Sequence, residues 1–391
     1  MDKENPPSLK ISPFLILCLS YALTFAGAGA LQQFVIPILR QRGFEELRSY
    51  LPLIVIYFSF TFFRFFSGLF VKALGVKISL ILGSLTYVLF PSALLSSLSY
   101  PAFLFLMFIW GWGAAIYWTA GTVAVLLMSK ENKYGSYTGI LYTWLQTGFA
   151  LGVAMLGVLH TIMGEKNMFS FAFSLSLLGS LLLFLIPRFP HKMESTQPKE
   201  LFEMAFRRES RLPAFYLFIS ALSLGIMFGS FGEWITKHYN FAYLSLIAFI
   251  GYAGRIFFAY PGGYIADKWG ENMALFTAFL FSSIGLGITS FFSSPLALSF
   301  AALSLGSQMS IVPVSATAYI GRRFPKEIYH LASGALLAWN SLGVAVSLLI
   351  CALLESLWKK LPFVFLLFAI IFFLCGILSL KSDNLNKEAR R

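Results

Sequence analysis

The stretch Gly263-Tyr264-Ile265-Ala266-Asp267-Lys268-Trp269-Gly270 stands where a long apolar run gives way to a short polar turn, and a second apolar run begins just after it at Met273. In the same setting, 195 residues earlier, stands Gly68-Leu69-Phe70-Val71-Lys72-Ala73-Leu74-Gly75. The same offset pairs Gly139 with Gly334 and Trp144 with Trp339. One spacing shared by separate regions indicates a duplicated unit, each copy about half of the chain.

Composition says what solvent the two copies meet. Of 391 residues, 58% are hydrophobic and 12% charged, whereas a soluble domain carries about 25% charged residues. Lipid is therefore the main solvent, and the aromatic content of 17%, with 43 Phe, suits lipid-facing helices. The net charge of +12 lies in short loops. There it answers to anionic headgroups and membrane orientation, so no nucleic-acid partner is expected. Cys18, Cys351 and Cys375 all fall inside apolar runs without metal-ligand spacing and read as small buried hydrophobes. Met1 to Lys10 is polar, and the apolar run after it is too long for a signal-peptide core, so it reads as a retained first span.

A membrane-spanning helix needs about 20 mainly apolar residues. Twelve stretches qualify: 11–38, 49–74, 76–97, 100–128, 134–163, 167–187, 213–236, 240–265, 272–293, 295–320, 328–354 and 361–380. Only one connection is long, 188–212, where Arg188, His191, Lys192, Lys199, Arg207, Arg208 and Arg211 mix with four Glu. The expected organisation is an N-terminal six-helix bundle over 1–187, a cytoplasmic linker over 188–212 and a C-terminal six-helix bundle over 213–391. Within the linker, Thr196-Gln197-Pro198 can start a short helix with Leu201, Met204 and Ala205 on one face, a pattern for the membrane surface; an ordinary solvated linker fits equally. With the N-terminus cytoplasmic, inside segments hold 20 of the 29 Lys and Arg and outside segments 7, while Arg64 and Arg255 lie within spans. That bias places both termini in the cytoplasm, although Arg40, Arg42 and Arg48 in the first outer loop run against it. A multi-pass protein, monomeric and housed in the plasma membrane, is the expectation.

Twelve spans, a charged central linker and the two related loops resemble the major facilitator superfamily. Its loop motif between the second and third helices of each half reads G-x-x-x-D-[RK]-x-G-[RK]-[RK]. The second half matches it at Gly263, Asp267, Lys268 and Gly270, with Glu271-Asn272 where the final basic pair would stand. The first half keeps Gly68, Gly75 and a basic Lys77, with Lys72 in place of the acid and Ala73 in place of the base. Val76-Lys77-Ile78-Ser79-Leu80, Gly83-Ser84-Leu85-Thr86-Tyr87 and Gly113-Ala114-Ala115-Ile116-Tyr117-Trp118-Thr119-Ala120 are similar to the "uncoordinated" potassium-channel-regulator branch of that superfamily, some of whose members act as regulators or trafficking partners. The resemblance implies an all-α membrane protein: twelve transmembrane helices in two pseudo-two-fold-related six-helix bundles.

The motif has a physical rationale beside the name. Glycine at a helix end admits a neighbouring helix closely. Aspartate at a cytoplasmic helix end meets the positive N-terminus of an adjacent helix or a basic residue, for which Arg322 and Arg323 are candidates. Such contacts on one side of the membrane close that side in one state and break in the other; a static cap and positive-inside anchor is the plainer reading, and the better one for Lys268.

Charge within the bilayer costs on the order of 3 kcal/mol per residue. Arg255 lies twelve residues before Asp267, about 18 Å deeper along a helix, where it can hold a carboxylate or phosphate through paired hydrogen bonds or brace helix carbonyls. Arg64, about 12 Å inward of Lys72, can face the same region or snorkel. Glu233 reads as the one carboxylate well inside the apolar spans, a candidate proton-coupling site or an interfacial partner of Lys237 four residues on. His160 reads as interfacial. Gln33, Trp118, Trp144, Gln146, Trp339 and Asn340 join Arg255 and Arg64 as expected lining of a central site, with helix–helix hydrogen bonding as the bland alternative. Gln32, Thr147, Gln308, Ser341, Tyr117 and Thr119 are further polar groups within the spans.

No H-E-x-x-H, phosphate-binding G-x-x-x-x-G-K-[ST] or credible nucleophile triad occurs, so no enzymatic activity and no cofactor are expected. The reading is a carrier of a small organic solute, leaning to anions, by alternating access. The alternative is a non-transporting membrane regulator or binding protein on the same fold.

Overall fold

Among the described residues, apolar helices follow one another along the chain, and their limits track the twelve expected segments. The computed structural model describes residues 12–96, 98–128, 134–188, 199, 203, 206, 208–323, 329–358 and 361–388. Span 1 is Pro13–Gln41; span 2 is Glu46–Arg64 followed by Ser67–Leu74. Spans 3 to 6 are Val76–Leu95, Tyr100–Met128, Tyr134–Met163 and Glu165–Leu182, the last ending in a 3-10 turn, Leu183–Leu185. Span 7 is Arg208–Phe228 and Ser230–His238, span 8 is Phe241–Phe257 and Ala259–Trp269. Spans 9 to 12 are Glu271–Phe291, Pro295–Arg323, Tyr329–Trp358 and Leu361–Glu388. Among the described residues, ten helices are long and apolar enough to cross a membrane, eleven when the bent pair of span 2 is taken as one; Phe241–Phe257 is too short by itself. No strand occurs among the described residues. Leu201, Met204 and Ala205 of the linker lie outside the described residues, whereas Lys199, Glu203 and Phe206 are helical and Lys199 pairs with Glu203 at 3.8 Å.

Antiparallel succession puts the start of span 1 and the end of span 12 on one face, called here the terminal face; the opposite face is distal. Packing repeats between the halves. Span 1 packs on 5, 2 on 4, 3 on 4 and 6; in register, span 7 packs on 11, 8 on 10, 9 on 10 and 12. Between halves, span 5 meets span 8 and span 11 meets span 2. That exchange is reciprocal, as a two-fold relation between the halves requires.

Individual atoms carry the same repeat. A Cβ on Gly111 would stand 2.4 Å from the Ile56 carbonyl oxygen, and one on Gly306 would stand 1.9 Å from that of Gly251. Each member of the second pair is the first plus 195. Bare backbone therefore sets the crossing of spans 2 and 4, and again of 8 and 10, which in lipid substitutes for a hydrophobic drive. Gly75 and Gly270, also 195 apart, turn the chain between spans 2 and 3 and spans 8 and 9 with φ of +77° and +93°, a region side chains resist.

Four spans are not continuous α-helix. Span 1 widens to a π-helical turn over Phe25–Gly29, where the Ala28 amide donates to Ser176 Oγ of span 6 at 2.8 Å. Span 2 bends by 69° between Arg64 and Ser67, and Ser67 Oγ donates to the Arg64 carbonyl at 2.9 Å. Span 7 breaks at Gly229. Span 8 breaks at Phe258, where Pro261 has no N–H to offer the Phe257 carbonyl. The pieces Ser67–Leu74 and Ala259–Trp269 find their principal neighbours within their own halves, while Glu46–Arg64 and Phe241–Phe257 pack across to the other half. The halves are thus joined on the distal side of the breaks.

Candidate functional site

At the level of the two matching breaks lies a layer of basic and phenolic groups. Arg64 ends the distal piece of span 2, and Arg255 stands two residues before the end of the distal piece of span 8. Both are half-buried. Arg64 lies over the Phe60 ring at 5.4 Å and within electrostatic reach of the phenols of Tyr142, Tyr21 and Tyr87. Arg255 lies over the Tyr252 ring at 5.9 Å and reaches Tyr252, Tyr57 and Tyr142. Tyr142, on span 5, is thus addressed from both halves. No carboxylate pairs with either arginine among the described residues.

Aromatic rings wall this layer. Trp118 presents its edge to Phe25 at 5.5 Å and to Tyr21 at 6.0 Å, and stands 5.9 Å from Tyr142. Phe149 stacks on Tyr252 at 4.9 Å, closing the layer on its distal side between spans 5 and 8. Tyr57 donates to Gln32 Oε1 at 3.0 Å. Gln146 follows Tyr142 by one helical turn, hence on the same face, and its Oε1 is buried without a hydrogen-bond partner among the described residues. Gln308 of span 10 is fully buried, with neither amide atom bonded among the described residues. These are polar groups a solute can satisfy.

Other expected lining residues stand elsewhere. Trp144 is 36% exposed, on a different face of span 5 from Tyr142. Trp339 packs edge-on against Phe206 at 5.6 Å and Phe218 at 6.4 Å, and Asn340 donates to the Leu217 carbonyl at 3.4 Å, both against the start of span 7. Gln33 crosses the seam between halves on the distal side and donates to the Met227 carbonyl at 2.5 Å. The side chains of Asp267, Arg322 and Arg323 lie outside the described residues; Lys268 is exposed over Trp269.

The distal seam is the second polar cluster. Glu233 Oε1 accepts from Lys237 Nζ at 2.8 Å, the pairing expected four residues on, and from Arg40 Nε of span 1 at 3.1 Å. Arg40 also holds Glu46 at 3.1 Å. Beside Glu233 lies Glu355 of span 11, 3% exposed, whose Oε1 accepts from Tyr50 at 2.5 Å and from Ser230. Glu233 is therefore not the one carboxylate within the spans. Span 11 runs to Trp358 rather than ending near 354, and Glu355 in its last turn is buried because spans 2 and 7 converge on it. His160 and Phe241 stack at 3.8 Å on the same face.

Sequence comparison adds the chain's relatives. The family model described as Major Facilitator Superfamily matches residues 17–239 and again 214–390. The UNC93-like protein MFSD11 of Xenopus tropicalis is 25% identical over 227 residues, 56% of this chain; the chain spans only half, 50%, of that relative's length. Among solved structures, the nucleoside transporter NupG superposes with a TM-score of 0.76 at 14% identity, covering 95% of this chain and 99% of that one. The Escherichia coli fucose:proton symporter FucP, as a variant, gives 0.62 at 17% identity over 94% and 97%. Likeness at such identity concerns the fold.

Proposed function

The chain belongs to the major facilitator superfamily, and on that premise we propose that it carries a small organic anion across its membrane by alternating access. One observation supports the reading above others. Arg64 and Arg255, contributed by different halves, both reach Tyr142 and have no carboxylate partner among the described residues. Two uncompensated guanidinium groups at membrane depth cost several kcal/mol, on the order of 3 each. An anionic solute between them recovers that cost, and the planar fork of arginine fits carboxylate or phosphate through two parallel bonds.

The aromatic walls of Trp118, Tyr57 and Tyr252 suit an organic body on the anion. Alternation draws on the helix breaks: pieces distal to them bind across halves, pieces on the terminal side bind within their own half. On this reading the molecule is closed at the distal seam and opens toward the terminal face. With the terminal face in the cytoplasm, as the Lys and Arg distribution favours, this is an inward-facing state of a plasma-membrane carrier. The structural neighbours, a nucleoside transporter and a fucose:proton symporter, accord with a small solute.

The test is counterflow in proteoliposomes with a panel of carboxylates, organic phosphates, sugars, nucleosides and amino acids. Flux of an anion, lost in Arg255→Gln and in Arg64→Gln, is the expected result. Flux confined to neutral solutes and indifferent to both substitutions ends the anion reading. No flux for any solute, with a stable protein co-purifying, favours the regulator instead.

A further inference from the structure

Glu233 and Glu355 are 2% and 3% exposed, and Ser230, one turn before Glu233 on span 7, donates to Glu355 Oε1, which brings the two carboxyl groups side by side. Each has one bonded oxygen and one bare one. On Glu233, Oε1 takes both Lys237 and Arg40; on Glu355, Oε1 takes both Tyr50 and Ser230. Both Oε2 atoms are sealed from solvent with no donor among the described residues. Two neighbouring acceptors, each lacking a donor, are satisfied together by one hydrogen placed between them.

Charge counting leads to the same place. The groups facing the pair are Arg40 from span 1, Glu46 and Tyr50 from span 2, Ser230 and Lys237 from span 7, and Cys351 one turn back on span 11. Arg40 and Lys237 both sit on Glu233, and no ion pair reaches Glu355 among the described residues. A metal cation is disfavoured: Arg40 and Lys237 already occupy Glu233, and the Tyr50 and Ser230 hydroxyls turn their hydrogens, not their lone pairs, toward Glu355.

We propose that Glu233 and Glu355 form a proton-binding site that locks the distal seam: one proton shared by the two carboxyl groups keeps the halves closed there, and its loss to distal water opens them. Both carboxyls belong to the second half, whereas Arg40 and Tyr50 belong to the first. Opening withdraws the two donors of the first half and exposes the pair to water. Without the proton, two adjacent carboxylates repel within the seam, and Arg40 with Lys237 neutralises only one of them. This deepens the proposed carrier by making protons on the distal side a control of its alternation, and it rests on that alternation.

The experiment measures the seam itself, without solute. Spin labels on Ile162→Cys and Phe292→Cys, exposed positions at distal ends of the two halves, report the separation by pulsed dipolar spectroscopy, the native cysteines being buried. Expected is a single short distance in acidic buffer and a longer population that grows as the buffer turns alkaline, at constant sodium. Glu355→Gln keeps a neutral group against Tyr50 and Ser230, and should hold the short distance at every pH. Ser230→Ala removes a donor that favours the charged carboxyl, so its transition should move to higher pH; this variant serves if Glu355→Gln does not fold. Arg40→Ala with Tyr50→Phe should lengthen the distance at every pH. If that double variant opens but pH does nothing in the parent protein, or sodium opens or closes it instead, the proton site falls and the carrier reading stands. If no condition moves the labels, alternation fails and takes this inference with it, while the anion site remains testable by binding alone.

Discussion

Tyr50 of span 2 donates its phenol hydrogen to Glu355 Oε1 of span 11 at 2.5 Å, and that bond ties one half of the molecule to the other. The ring is fixed by packing as well, since it lies against Gly229 where span 7 breaks. Tyr50→Phe therefore keeps the ring in place and deletes only the donor. A buried charged or shared carboxyl that loses a hydrogen bond costs about 1–3 kcal/mol. Thermal unfolding in detergent should show a lower midpoint for Tyr50→Phe. An unchanged midpoint would mean that Ser230 alone satisfies that oxygen.

Glycines at the helix crossings give a graded series. Ala at Gly306 would meet the Gly251 carbonyl at 1.9 Å, at Gly111 the Ile56 carbonyl at 2.4 Å, and at Gly287 nothing within 4 Å. The first two obstacles are backbone and cannot swing away. Gly306→Ala should be the most damaging to folded yield, Gly111→Ala next. Gly287→Ala, in the interior of span 9, should stabilise by about 0.5–1 kcal/mol through helix propensity. Fluorescence-detected size exclusion of the three variants checks the order.

Sequence carried the rods and the repeat but not the convergence of distant groups. Apolar run lengths located the helical segments because lipid leaves a helix no other way to satisfy its backbone. The 195-residue offset foreshadowed the matched crossings at Gly111 and Gly306. Glu355 escaped because Leu354-Glu355-Ser356 looks like a span giving way to water; only the packing of spans 2 and 7 over it makes it interior. Tyr57, Tyr142 and Tyr252 escaped for the opposite reason. In a chain with 17% aromatics they resemble lipid-facing rings, and nothing local marks three tyrosines that meet two arginines. The helix breaks at Phe65–Phe66 and Phe258 were equally silent, the first having no proline at all.

Charge and fork geometry separate at the two arginines. Arg255→Lys preserves the positive charge but gives up paired bonding, so affinity for the anion should fall by about tenfold, near 1.4 kcal/mol. Arg255→Gln gives up both and should fall at least an order of magnitude further. Tyr142→Phe, leaving both guanidinium groups in place, should weaken binding by about 0.5–1.5 kcal/mol, the worth of one hydrogen bond. Isothermal titration with the transported anion distinguishes the three. A lysine variant equal to the parent would argue for a point-charge contact rather than a bidentate one.

The two broken spans differ in what breaks them, and this separates their roles. In span 2, Ser67 Oγ bridges the Arg64 carbonyl at 2.9 Å and Thr119 Oγ1 of span 4 at 2.6 Å, so the bend is held by side chains. In span 8 the discontinuity follows from Pro261, whose ring has no N–H for the turn before it. Pro261→Ala returns that donor and lets the ladder run through Phe258, at a side chain that is exposed and makes no demand on packing. The straightened helix should carry Ala259–Trp269 and Phe241–Phe257 as one rod, coupling the piece bound within its half to the piece bound across the seam. Amide exchange over 258–264 should slow, and transport should slow with it while equilibrium binding of the anion is retained, because Arg255 lies before the break. Slower exchange with unaltered transport would show that span 8 moves as a unit already and that its kink is only a shape.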